Sequence, residues 1–102
     1  MAIIVFTTTP PNEADMLADA IIDARLAACV QVLPPMRSVY RWQGEVKSDT
    51  ECLLMIKSAA ELYPKLELFI KDHHSYDVPE IVAIEAANIS AEYSHWLNTV
   101  LS

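Results

Sequence analysis

The stretch "TECLLMIKS", residues 50–58, is apolar on both of its alternating sets of positions. Cys52, Leu54 and Ile56 fall on one set, Leu53 and Met55 on the other. Successive side chains of a strand point to opposite faces, so a strand written this way needs cover on both sides. Ile81, Val82, Ala83 and Ile84 repeat the pattern. A chain of 102 residues builds one core and has little left over for a second covering layer. The expectation is a single domain, residues 1–102, whose second sheet face is covered by further copies of itself. A hydrophobic content of 53%, high for so short a chain, points the same way.

Turn signals divide the remainder. "AIIVFTT" reads as a buried strand ended by Pro10 and Pro11, after which Asn12 is expected to cap a helix, with Asp15 completing an approximate capping box. Met16, Leu17, Ala20, Ile21, Ala24, Ala27 and Ala28 recur at helical spacing, opposite Asp15, Asp19 and Asp23. "CVQVL" is a second strand, interrupted by Pro34 and Pro35 and resuming as "RSVYRWQ"; prolines there imply a sheet edge or a bulge. "QGEVKSD" reads as the turn into the third strand. A second helix carries Leu62, Leu66, Phe69, Ile70 and His73 on one face, with Pro64 confined to its first turn. It should end near His73, because Ser75 breaks the apolar pattern and Val78 precedes a proline. "VPEIVAIEA" is the fourth strand, and Ser90 opens a last helix striped with Tyr93, Trp96, Leu97, Val100 and Leu101. The order is β-α-β-β-α-β plus a terminal helix, an α+β chain of the ferredoxin-like kind.

Composition excludes several function classes. A net charge of −7 argues against nucleic-acid or anionic-membrane partners. No run approaches the roughly 20 apolar residues of a membrane span, and the first residues have no basic segment of a signal peptide, so a cytoplasmic address is expected. Cys29 and Cys52 have no CxxC spacing. With the hairpin turning near Gly44 and Glu45, Cys52 is expected beside Ser38, away from Cys29, and both thiols stay reduced.

Chemistry concentrates in "KDHHSYDVPEI", residues 71–81. Adjacent histidines on a helix point about 100° apart, so His73 and His74 share an ion only if the helix ends between or beside them. Tyr40 and Trp42 share one strand face, a pattern of interface packing. Lys57 and Glu80 are read either as an ion pair or as lining of a cleft between subunits. Asp77 and Glu80 have no nucleophile or orienting group beside them, so no catalytic activity is expected. With Gly44 the only glycine, the chain has no glycine-rich loop to wrap a phosphate.

Five segments together resemble the CutA family of divalent-cation tolerance proteins: "LAACVQ", "SVYRWQGEV", "LLMIK", "HHSYDVPEI" and "EYSHWL". The resemblance spans nearly the whole chain. It implies a ferredoxin-like fold, a tight homotrimer similar in architecture to PII signalling proteins, and a non-enzymatic role in binding divalent metal, copper included. It places metal on His73 and His74; Tyr40, Trp42, Lys57, Tyr76 and Glu80 are read beside it as residues of an inter-subunit cleft. An alternative function for that architecture is a PII-like sensor holding a small ligand in the cleft. Two departures stand out. Ser75 follows the second histidine where the family has proline, and the first strand reads "VFTTT", with Phe6 or Thr7 where copper-binding members carry a cysteine.

Overall fold

The computed structural model describes residues Met1–Ser102. Its elements are β1 (Ala2–Thr9), α1 (Pro11–Asp23), β2 (Cys29–Val32), β3 (Met36–Trp42), β4 (Glu45–Ala59), α2 (Tyr63–His73), β5 (Val82–Glu85) and α3 (Ala91–Leu101). A short 3-10 turn, Ala60–Leu62, leads into α2. All strand pairs are antiparallel, in the order β2-β4-β1-β5, and β3 pairs with the other half of β4. No helix is long and apolar enough to cross a membrane.

β4 runs for 15 residues, longer than its apolar stretch. The segment expected as a turn is mostly strand: Trp42 pairs with Glu45, and only Gln43 and Gly44 link them. Both linking residues have positive φ, 50° and 82°, the geometry of the two-residue hairpin turn whose twist matches that of the strands. Glu45 to Thr50 are exposed on both faces, and polar apart from Val46, because this half of the hairpin projects beyond the core, giving the molecule its 44 × 26 × 24 Å shape. Polarity hid a strand that backbone pairing with β3 maintains. The tighter turn also shifts the register by three, so Ser38 faces Asp49, while Cys52 sits opposite Thr9 of β1. Pro34 and Pro35 separate β2 from β3, and β2 lies at the sheet edge, as proline predicts.

Helix α1 starts one residue before the expected cap. Pro10 occupies the cap position without a side-chain bond and Pro11 the first turn, where a missing N–H costs nothing, so Asn12 is inside the helix. At its other end Arg25 takes φ 59°, and the Leu26 and Arg25 amides donate to the Ile21 and Ile22 carbonyls at 3.2 and 3.0 Å. This is a Schellman ending, sealed by the buried pair Ile21 and Leu26. In α2, Pro64 lies in the first turn and the helix stops at His73, both as expected. Ser90 caps α3, its hydroxyl accepting from the Tyr93 amide at 3.3 Å.

Both helix faces and one sheet face meet in the core. Ile3, Val5, Leu54 and Ile56 from the sheet pack against Ala14, Leu17, Ala18 and Ile21 of α1 and Leu66 and Ile70 of α2. Met16, expected on this face, is exposed, because the buried stripe of α1 runs through Ala14, Leu17, Ala18 and Ile21 and Met16 lies off it. The opposite sheet face is thinly covered. Ile4, Phe6, Leu53 and Met55 are half-buried, and Val82 and Ile84 are 50% and 49% exposed. Helix α3 leans on β4 near Cys29 through buried Leu97, leaving Tyr93, Trp96 and Val100 exposed.

Two outcomes follow from this packing. Leu54→Ala or Ile56→Ala, each emptying a fully buried site, should lower stability by about 2–5 kcal/mol in urea unfolding. Cys29 pairs with Lys57, five residues along β4 from Cys52, about 17 Å by strand rise. Bridging requires Cα atoms within about 7 Å, so mass analysis without reductant should find two free thiols.

Candidate functional site

The hairpin register sets Ser38, Tyr40 and Trp42 of β3 on the same face as Lys47, Asp49 and Glu51 of β4. The segment leaving α2 crosses this face with Tyr76, Asp77, Val78 and Glu80. Together these residues line an open cavity of about 650 Å³. Four carboxylates face it, against one lysine. The Tyr40 hydroxyl donates to Asp49 Oδ2, and the Tyr76 hydroxyl donates to Glu51 Oε2 at 2.9 Å. Glu51 is only 7% exposed, and the Tyr76 hydroxyl supplies a hydrogen bond that a buried acceptor needs. Burial first, then the bond to Glu51 and the charges of Glu51 and Asp49, hold the Tyr76 phenol well above its ordinary range. The bond to Asp49 first, then burial, raises Tyr40 as well.

The histidines sit at the end of α2 and have different surroundings. The His73 ring stacks on Phe69 with centroids 4.0 Å apart, and its Nδ1 donates to the Phe69 carbonyl at 2.8 Å. His74 leaves the helix in an extended conformation. Its Nε2 donates to the Thr8 carbonyl at 2.7 Å, and its Nδ1 accepts from the Tyr76 amide at 3.1 Å. Ser75, in the position where proline was the family expectation, donates from Oγ to Glu13 Oε2 at 3.1 Å. Both histidines border a small cleft of about 100 Å³ with Thr9, Glu13 and Met16. Within the chain no three His, Cys, Asp or Glu side chains group so as to hold a metal ion. On β1, Phe6 is half-buried and Thr7 fully buried, so the first strand offers no sulfur.

Of the five residues expected in the cleft, Tyr40, Trp42, Tyr76 and Glu80 meet in one cavity. Lys57 does not. It shares the strand parity of Glu51 but lies six residues beyond it along β4, roughly 20 Å by strand rise, where it donates to Gln31 Oε1, and it makes no ion pair with Glu80. Lys47, Asp49 and Glu51 were missed because they lie in or beside the stretch read as a turn. Their alternation, Glu45-Lys47-Asp49-Glu51, was the available strand signal.

A family model described as CutA1 divalent ion tolerance protein matches residues 3–100. The divalent-cation tolerance protein CutA of Thermus thermophilus is 46% identical over 95 residues, 92% of each chain. The chloroplastic protein CutA of Arabidopsis thaliana is 42% identical over 94% of this chain, which spans 53% of that longer relative. The solved structure of the divalent cation tolerance protein from Thermus thermophilus superposes with a TM-score of 0.91 at 45% identity, covering 95% of each chain.

The Tyr76–Glu51 pair has a pH signature. An unfolded chain releases its phenol protons near the ordinary value of 10.0, whereas Tyr76 in the folded chain retains its own. Stability from this group is therefore complete below that pH and falls as pH rises above it. Glu51→Gln should move one tyrosine part of the way back toward the ordinary range in an ultraviolet absorbance titration. Burial maintains the rest of the shift.

Proposed function

This chain belongs to the CutA1 divalent ion tolerance family, and from that membership we propose that it acts as a homotrimer of ferredoxin-like subunits that takes up divalent cations, copper among them, without catalytic chemistry. The strand order β2-β4-β1-β5 with α1 and α2 on one face supports the subunit fold. The observation that carries the assembly is the second sheet face, where Val82 and Ile84 are half exposed on a strand with an open edge. A lone subunit leaves that apolar area and the projecting hairpin in water; association removes both from it. Trp42, 44% exposed on the hairpin, belongs to the same uncovered surface.

Family membership supports divalent-ion uptake, and the donor set bears on its form. One chain does not assemble three ligating side chains, so a complete coordination shell draws on solvent or on a neighbouring copy. The carboxylates of the hairpin cavity suit hard divalent ions. Neither cysteine stands on the first strand, Cys52 facing Thr9 from β4 and Cys29 lying on β2, so the thiolate that favours copper(I) in such sites has no counterpart on β1. The PII-like alternative retains its cavity. Its four carboxylates and single lysine, however, disfavour the anionic ligand of such a sensor.

Light scattering on a sizing column should report three copies of the 11.4 kDa chain at micromolar concentration without added ligand. A monomer there would refute the assembly. Trp42→Ala should shift the trimer toward smaller species at low concentration, since truncating an aromatic that becomes buried costs about 3–5 kcal/mol. Calorimetry with copper(II) and zinc(II) tests uptake separately: no heat of binding with an intact trimer would remove the ion from this reading.

A further inference from the structure

We infer that His74 is a positioning residue: its neutral ring fastens the segment carrying Tyr76 to β1, and divalent ions bind this chain without using that ring. The inference deepens the divalent-ion reading by stating which donor stays out of it. It rests on the bonding of one imidazole.

A neutral imidazole has one protonated nitrogen and one nitrogen with an in-plane lone pair, and a metal takes the lone pair. For His74 the surroundings dictate which is which. The Thr8 carbonyl only accepts, so Nε2, 2.7 Å away, carries the proton. The Tyr76 amide only donates, so Nδ1, 3.1 Å away, supplies the lone pair. Nothing is left over. A metal at Nδ1 must displace the Tyr76 amide from its acceptor. A metal at Nε2 must displace the proton and strand the carbonyl of Thr8, a residue 6% exposed. His73, one residue earlier, instead stacks on Phe69 and donates from Nδ1, so its lone pair lies on Nε2. The adjacent rings therefore differ in chemistry.

What the latch positions is Tyr76. The ring of His74 lies 4.7 Å from that of Tyr76, and the Tyr76 hydroxyl reaches the buried Glu51 carboxylate at 2.9 Å. A continuous path runs from the Thr8 carbonyl on β1 through His74 to the Tyr76 amide, and through the Tyr76 side chain to Glu51 on β4. The residue that the family resemblance offers as a metal ligand is here the link that sets one wall of the cavity.

Nitrogen NMR of isotope-labelled full-length protein near neutral pH tests this directly. The expected spectrum has His74 as the Nε2–H tautomer with an unprotonated Nδ1. A protonated Nδ1, in either the other tautomer or the imidazolium, overturns the latch. Zinc(II) is then added to excess, with His73 and His95 as internal references. His74 ring resonances that stay in place support the inference, whereas a shifted His74 nitrogen refutes it. If zinc(II) binds nowhere, the divalent-ion reading fails, and the tautomer alone decides the role of His74. In His74→Ala the Tyr76 amide should exchange with solvent about tenfold faster, consistent with one lost hydrogen bond, while the amides of Leu66 and Ile70 keep their protection. Unchanged exchange at Tyr76 would overturn the positioning role.

Discussion

The backbone pairing of β4 is the constraint on which the rest of the molecule depends. One strand serves three partners: β3 along its first half, β1 and β2 on either side of its second. The change of partners falls between Glu51, the last residue paired with β3, and Cys52, the first paired with β1. On one side of that point the strand is polar and projects. On the other it is apolar and anchors the core. Because hydrogen bonding to a neighbour is indifferent to side-chain polarity, a single strand spans both environments.

The candidate site is built at that junction. Glu51 is buried there because the core begins beside it, and a buried carboxylate must be paired. Tyr76 supplies the partner, and His74 secures the same segment to Thr8, whose pairing with Leu53 places it two positions beyond Glu51 along β4. The segment between α2 and β5 has little regular structure, yet side-chain bonds to two different strands define its course. The acidic cavity is thus a consequence of where the strand changes partners.

The proposed cation uptake and the proposed assembly are connected through what the single chain leaves incomplete. The family is one of divalent ion tolerance, but the donors in this chain point to separate places: His74 to backbone groups, Tyr40 to Asp49, Tyr76 to Glu51. The same subunit exposes apolar residues on β5, β3 and α3. In the proposed assembly, covering those surfaces would also bring donor groups from different copies toward one another, which is the physical reason the proposal places ion uptake on the oligomer.

Most of the framework was legible in the residues themselves. Alternation in "AIIVFTT" and "TECLLMIKS", the prolines at 10, 11, 34 and 35, and the serine at 90 are local signals, and local sterics and hydrogen bonding enforce them. Two-faced hydrophobicity likewise announced a sheet with more apolar surface than one chain covers. What the residues did not disclose depends on partners distant in sequence. The strand character of Glu45–Thr50 is secured by pairing with β3, its own side chains giving only an alternation of charged and uncharged residues. The register of the hairpin followed from left-handed backbone at Gln43 and Gly44, and that register decided which carboxylates share a face. Lys57 was assigned to the cleft although it shares only the face: pairing with Cys29 of β2 places it six residues along β4 from Glu51. The two histidines look equivalent in the chain. Only the tertiary structure, by placing a carbonyl on one ring nitrogen of His74 and an amide on the other, made them different.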